Sequence, residues 1–264
     1  MAILTAFLII LAISLFVGII LLVCSRLFYV PENPLKKQIR ACLPGINCGA
    51  CGYKGCDDYA EALANNEAKP SLCVPGAQET ADAIGAILGV KAEKQQDTVA
   101  FVACNGACGA TYKVAEYRGI QSCAAVSMLY GGDNACTFGC LGLGDCAKAC
   151  PADAICLADG IARVEASRCL SCGLCVDTCP KHIISLIPQQ TEPVVVCSNK
   201  QKGVAAKKAC KNACIGCKKC EKTCPNGAIT VIGNLATVDY SKCTSCGACA
   251  GECPTGCLKN VFFS

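Results

Sequence analysis

The 264-residue chain carries one histidine, His182. A Rieske centre needs two histidines on one iron and a bis-histidine haem needs two as well, so neither is encoded. No strand runs into a G-x-G-x-x-G turn and a helix. The nearest approach, Gly142-Leu143-Gly144, lies inside a cysteine loop, which excludes a dinucleotide-binding fold. A Ser-His-Asp set, a phosphate loop and an ion-conducting polar helix are missing too, so bond-making chemistry and ion passage belong to other chains. Net charge is +4, too small to name a partner by itself, and nothing points to nucleic acid.

Cysteine is abundant instead, with 29 residues. Such a density means either a disulfide scaffold or metal. Order along the chain separates the two. Three stretches read C-x2-C-x2-C-x3-C-P: Cys169, Cys172, Cys175, Cys179 with Pro180; Cys214, Cys217, Cys220, Cys224 with Pro225; and Cys243, Cys246, Cys249, Cys253 with Pro254. In this bacterial iron-sulfur run the first three thiolates hold one 4Fe-4S cube and the fourth reaches the neighbouring cube. Zinc is the stronger rival, because paired C-x2-C hooks also build zinc ribbons, but zinc wants two hooks of two and not three cysteines in succession.

A fourth set, Cys136, Cys140, Cys146 and Cys150, has looser spacing and still closes on Cys-Pro at Pro151. Cys150 and Cys179 are 29 positions apart, as are Cys224 and Cys253, so two copies of one two-tetrad module stand in tandem. Between the tetrads of each copy a short hairpin is predicted. Residues 154–165 turn at Asp159-Gly160, and residues 228–239 turn at Gly233-Asn234. By the crossing rule Cys136, Cys140, Cys146 and Cys179 form one ligand set, and Cys169, Cys172, Cys175 and Cys150 the next. In the second copy the sets are Cys214, Cys217, Cys220, Cys253 and Cys243, Cys246, Cys249, Cys224.

Residues 2–25 contain no charged side chain and exceed the roughly 20 residues a bilayer-crossing helix needs. No basic n-region precedes them and no small-x-small cleavage site follows, which argues for an anchor over a signal peptide. Arg26, Lys36, Lys37 and Arg40 all follow the span. The positive-inside bias then predicts a single-pass protein of the cytoplasmic membrane, N-terminus outside, cysteine domains in the cytoplasm. A reducing compartment suits free thiolates. The predicted class is α+β: an anchor over 1–25, a small four-cysteine domain over 26–95, a connecting segment over 96–130, and ferredoxin modules over 131–190 and 191–264.

In the four-cysteine domain, NCGACGYKGC and a distant cysteine supply Cys48, Cys51, Cys56 and Cys73. Spacing alone leaves this set open to zinc as well as to a cluster. Asp57 is expected to cap a helix from Asp58 to about Ala68, stopped by Pro70. Nine cysteines remain. Cys24, Cys156 and Cys257 sit in apolar runs and read as small buried hydrophobes, while Cys42 has no assigned part. Cys104, Cys108 and Cys123, with Cys197 or Cys210, are material for a further site, but their spacings fit no ligand pattern.

The uncharged N-terminal span, LPGINCGACGYKGC with Cys73-Val74-Pro75-Gly76, the CTFGCLGLGDCAKACP loop and the tandem modules resemble, over essentially the whole chain, the B-subunit family of the Rnf complex. The resemblance implies a membrane complex of several subunits that oxidises reduced ferredoxin, reduces NAD and moves Na+ or H+. It also implies a 4Fe-4S cluster on the Cys48, Cys51, Cys56, Cys73 set, making five clusters on twenty cysteines. The chain would be the electron-relay subunit of a translocase without a complete active site of its own. Two other readings use similar parts: a membrane-tethered reductase that keeps an iron-sulfur transcription sensor reduced, and a structural zinc-thiolate protein. Lysines crowd the segment around Cys214 to Cys224, and Lys218 and Lys219 are the expected docking point for an acidic soluble ferredoxin.

Overall fold

The computed structural model describes residues 2–28, 33–94, 97–189 and 192–260. The apolar run forms one helix, α1 (Ala2–Leu27). Its Phe7–Leu27 part has a mean hydropathy of 3.3 and packs against nothing in the chain. Within it the Ser14 hydroxyl is satisfied by the helix itself, donating to the Ile10 carbonyl at 2.9 Å, as an element surrounded by lipid requires.

The small domain packs three helices. In α2 (Pro34–Cys42), Pro34 fills the first turn, where its missing N–H costs nothing, and the Asn33 side chain accepts from the Leu35 N–H. The next helix, α3 (Cys56–Ala64), starts and stops earlier than the sequence pattern predicts. Asn47 reaches in from the cysteine loop and its Oδ1 accepts from the Cys56 N–H at 2.9 Å. Asp57 thus sits inside the first turn, where Arg40 Nε donates to it at 2.9 Å and ties α3 to α2. After a tight turn at Pro70–Leu72 comes α4 (Ala77–Leu88), ended by Gly89 in the left-handed conformation. Ile39, Tyr59, Leu63 and Ile84 meet in the core between these helices, and Cys56 and Cys73 belong to the same cluster.

Beyond residue 97 the chain builds two copies of one design. The first contains β1 (Thr98–Val102), the short helices α5 (Cys123–Ser127) and α6 (Asp145–Lys148), the hairpin β2 (Ile155–Ala158) and β3 (Ile161–Val164), α7 (Leu174–Thr178) and β4 (Ile184–Pro188). The second contains β5 (Val194–Val195), α8 (Gly203–Ala209), α9 (Lys219–Thr223), the hairpin β6 (Ile229–Ile232) and β7 (Leu235–Val238), α10 (Ala248–Gly251) and β8 (Leu258–Lys259). Within each copy the inner hairpin is one antiparallel sheet and the first and last strands pair as another. Both hairpins turn where predicted, and their central residues all have positive φ: Asp159 at 50° and Gly160 at 75°, Gly233 at 56° and Asn234 at 65°. Such turns match the right-handed twist of the strands.

Part of the segment expected to connect the domains is a strand. Thr98–Val102 pairs with Ile184–Pro188, from Thr98 opposite Pro188 to Val102 opposite Ile184, so the first module begins at this strand. The loop that follows brings Cys104, Cys108 and Cys123 into the module.

Candidate metal centres

The small domain gathers its four cysteines from a glycine-bent loop, the start of α3 and the turn before α4. Burial pushes the Cys73 thiol up, and Cys56, Cys48 and Cys51 face it and raise it further. Tyr59 fixes the turn that carries Cys73: its hydroxyl donates to the Lys69 carbonyl at 2.6 Å and accepts from the Leu72 N–H. Burial lifts that phenol to about 12, so it stays protonated and keeps donating.

Three further cavities follow the crossed pattern of the tandem tetrads. One is bordered by Cys150, Cys169, Cys172 and Cys175, a second by Cys214, Cys217, Cys220 and Cys253, as expected. Counting their open sides, they hold about 330 Å³ and about 300 Å³ of space free of protein atoms. At the distal end, burial raises the Cys249 thiol, and Cys224, Cys243 and Cys246 surround it. Backbone N–H groups converge on the sulfurs at matching places: Ala154 donates to Cys150 and Ala228 to Cys224, each at 3.3 Å.

The remaining cavity, about 390 Å³, departs from expectation. Cys140, Cys146 and Cys179 line it, but the fourth cysteine in its wall is Cys123, and Cys136 lies outside. Burial drives the Cys146 thiol to about 12, with Cys140, Cys123 and Cys179 as its charged neighbours. The reason is visible in the spacing. Cys140, Cys146 and Cys150 have the same intervals as Cys214, Cys220 and Cys224, so Leu143 stands where the second copy has Cys217. Cys123, on α5, borders the cavity instead. Asp145, beside Cys146, accepts from the Ser122 hydroxyl at 2.9 Å and the Ala124 N–H at 3.0 Å, and these flank Cys123. Burial acts to raise the Asp145 carboxyl, but the Ala124 and Cys123 N–H groups with Ser122 outweigh it and hold the group below its ordinary value. Leu143 packs against the cluster that Cys123 forms with Val126 and Leu141. Gly142 and Gly216, at matching positions with φ of 71° and 64°, let the hairpin turns press close: a Cβ on Gly142 would lie 2.3 Å from the Gly160 carbonyl oxygen and one on Gly216 3.0 Å from that of Asn234.

Among the described residues, no three Cys, His, Asp or Glu side chains converge tightly enough for a single metal ion. Four thiolates on one zinc would sit about 2.3 Å from it and within about 4 Å of each other. These sulfurs ring wider spaces with N–H donors aimed at them, a donor set that fits a polynuclear cluster.

Comparisons with known proteins agree with that chemistry. Residues 43–75 match a family described as "Putative Fe-S cluster", and residues 168–228 and 213–257 match two families each described as "4Fe-4S dicluster domain". The chain is 43% identical over 231 residues to the B subunit of the Na(+)-translocating ferredoxin:NAD(+) oxidoreductase complex of Acetobacterium woodii, covering 87% of this chain and 69% of that protein. It is 40% identical to the B subunit of the proton-translocating ferredoxin:NAD(+) oxidoreductase complex of Clostridium ljungdahlii, covering 88% and 83%. With the B subunit of the ion-translocating oxidoreductase complex of Methanosarcina acetivorans it shares 38%, over 87% of each chain.

The chain belongs to the Rnf B-subunit family.

As a member of that family it is an iron-sulfur, electron-transferring subunit of a membrane oxidoreductase complex, and the apolar α1 is consistent with membrane anchoring. Three other expectations meet the structure at this point. His182 is exposed, as expected of a surface residue. Cys257 is buried, but Cys156 is exposed and Cys24 half-exposed on a helix with no protein around it, so neither is a packed core residue. Cys108 is exposed and borders none of the cavities described above.

Proposed function

We propose that this chain relays electrons from a reduced soluble ferredoxin toward the subunits that reduce NAD and move Na+ or H+. The carrying observation is the crossed closure of the cavities: Cys179 with Cys140 and Cys146, and Cys150 with Cys169, Cys172 and Cys175. Thiol sets that exchange their last member lie side by side, and neighbouring carriers need that proximity.

The residues that would hold 4Fe-4S groups are Cys48, Cys51, Cys56, Cys73; Cys140, Cys123, Cys146, Cys179; Cys169, Cys172, Cys175, Cys150; Cys214, Cys217, Cys220, Cys253; and Cys243, Cys246, Cys249, Cys224. Bound there, such a group takes up and releases single electrons at low potential. The chain's own work is to present thiolates, exclude water and aim N–H donors at sulfur. The order of sets is also built in: burial raises the Cys172 thiol, and Cys48 lies near enough to add to that rise, so the anchored domain adjoins the first module.

The basic flank Arg26, Lys36, Lys37 and Arg40 supports a cytoplasmic location for every set. An exposed lysine field around Cys214 to Cys224 supports electron entry at the second module. The test is isolation of the complex without oxygen. Iron and sulfide in equal amounts, with a nicotinamide-reducing subunit in the same particle, are expected. Zinc in place of iron would overturn the reading, and co-purification with a transcription sensor instead would favour the reductase alternative.

A further inference from the structure

We propose that the first module carries a docking face for a permanent partner, another subunit of the same complex that presents an uncharged, apolar surface. The face is the loop between Cys104 and Cys136. It rests on the reading above only in taking this chain as one electron-carrying subunit among several.

The loop is an addition to one copy of the repeated design. Cys104 and Cys197 each stand two positions beyond the first strand of their module, and Cys136 and Cys210 each stand four positions ahead of Cys140 and Cys214. Cys104 and Cys136 are 32 positions apart, yet Cys197 and Cys210 are only 13 apart. The extra residues do not fold inward. Tyr112, Val114, Ile120, Met128, Leu129 and Tyr130 are all exposed, Ile120 by 76%, Met128 by 85% and Tyr130 by 99%. Among the described residues of the two modules, other exposed large apolar side chains stand singly, as Val204 and Ile232 do, and single ones are ordinary. A concentration of them marks a surface that another molecule covers.

Charge says which kind of molecule. From Gly119 to Gly132 no side chain is charged. The four charges at the base of the loop cancel in pairs, Lys113 with Asp133 at 2.8 Å and Arg118 with Glu116 at 2.9 Å. Lys181 reaches the loop from beyond Cys179, but its half-buried ammonium donates to the Gly131 and Thr137 carbonyls. An acidic soluble donor finds no free cation here, whereas the lysines around Cys214 to Cys224 offer several. A bilayer surface is disfavoured on the same ground, because segments that lie on membranes join an apolar face to lysines and arginines that hold anionic lipid. Interfaces between permanently associated subunits have the composition seen here, rich in tyrosine, methionine and aliphatic side chains and poor in charge.

The loop is also built to hold its shape. The Val114 N–H donates to the Asp133 carbonyl and the Ala135 N–H to that of Tyr112, each at 2.8 Å, which closes the base as an antiparallel pair. Tyr117 packs against the cluster of Cys123, Val126 and Leu141. Gly132, at a φ of 118°, lies so close that a Cβ there would come within 2.4 Å of a Leu141 methyl. A face already ordered in the free chain loses little entropy when a partner seats on it. Because α5 and Cys123 belong to this loop, the partner would also steady the thiol that borders the Cys140, Cys146, Cys179 cavity. The two modules thus divide their contacts: a neutral face for a permanent neighbour on the first, a lysine field for a transient donor on the second.

The experiment uses the whole complex, purified in detergent without oxygen, with a photoreactive benzophenone amino acid in place of Tyr130. Irradiation should join this chain to one other subunit of the complex, identified by mass spectrometry, while the same probe in place of Ile232 should not give that product. A band at twice the mass of this chain would replace the partner by a second copy, and an adduct with lipid alone would make the face a membrane contact; either overturns the proposal, as does equal yield from Ile232 or no adduct at all. Met128→Glu with Tyr130→Glu should reduce the amount of that subunit retained with this chain about tenfold in about 1 M salt, where ion pairs are screened beyond about 3 Å and apolar contacts persist. Both positions are exposed, and unchanged iron content shows that the variant is folded. Full retention with iron kept would overturn the proposal. Zinc without iron in the purified complex would remove the relay reading instead, whatever the crosslinks show.

Discussion

The sulfur of Cys257 lies 3.5 Å from that of Cys253. Cys257 is buried and belongs to no ligand set, yet its thiol also bonds to Cys214, and its contact with Cys253 lowers the Cys253 thiol to about 4. Its own thiol is held strongly protonated by the same two partners. A side chain that reads as core filler thus shares its one S–H with two ligands of one set.

Hydrogen bonds to cluster sulfur stabilise the reduced, more negative state and raise the potential. Cys257→Ala should therefore lower the potential of the Cys214, Cys217, Cys220, Cys253 group. A net bond of about 0.5–1.5 kcal/mol corresponds to a shift on the order of 20–60 mV for one electron. Redox titration followed by electron paramagnetic resonance reads it. No shift, or a shift to higher potential, would show that Cys257 only fills space.

The proposed exchange of Cys136 for Cys123 gives a second prediction. Cys123→Ala should remove the group held by Cys140, Cys146 and Cys179. Adding Leu143→Cys should restore it, because that position repeats the one occupied by Cys217 and already packs against the cluster that holds Cys123. Iron content and the spectrum of the double variant are the measure. Restoration by neither, with the single variant fully loaded, would return Cys136 to this set.

This exchange also marks where the sequence stopped being readable. The anchor, both hairpins and the crossed pairs of regular tetrads follow from local periodicity, since each depends on residues a few positions apart. Leu143 breaks that periodicity, and the replacement thiol arrives through a carboxylate, Asp145, that grips the helix carrying Cys123. Aligning Cys140, Cys146 and Cys150 with Cys214, Cys220 and Cys224 would have exposed the gap. Strand β1 was hidden for a related reason, because its partner β4 lies far along the chain and a long loop separates it from the first tetrad.

Tyr59 supplies a third test. Its hydroxyl joins α3 to the turn before Cys73 through Lys69 and Leu72. Tyr59→Phe keeps the packing and removes two hydrogen bonds to the turn, each with a net contribution of about 0.5–1.5 kcal/mol. The group on Cys48, Cys51, Cys56 and Cys73 should then be lost to an iron chelator several-fold faster, with the module groups unaffected. Equal loss rates in variant and wild type would mean that the turn is held by other contacts.

The last prediction concerns electron entry. Lys200, Lys202, Lys207, Lys208, Lys211, Lys218, Lys219 and Lys222 are all exposed, and Glu221 is the one acid among them. Lys218 and Lys219 border the cavity of the Cys214 set, and Cys217 beside them is itself exposed, so this corner of the set comes to the surface under positive charge. An acidic donor is drawn to such a face, which raises the encounter rate more than the final affinity. Lys218→Glu with Lys219→Glu should slow reduction by ferredoxin about tenfold or more at low salt. The gap to wild type should narrow toward 0.15 M salt and above, where screening acts within about 8 Å. Stopped-flow reduction at several ionic strengths checks both parts. An unchanged rate at low salt, with all iron retained, would move the entrance to the first module.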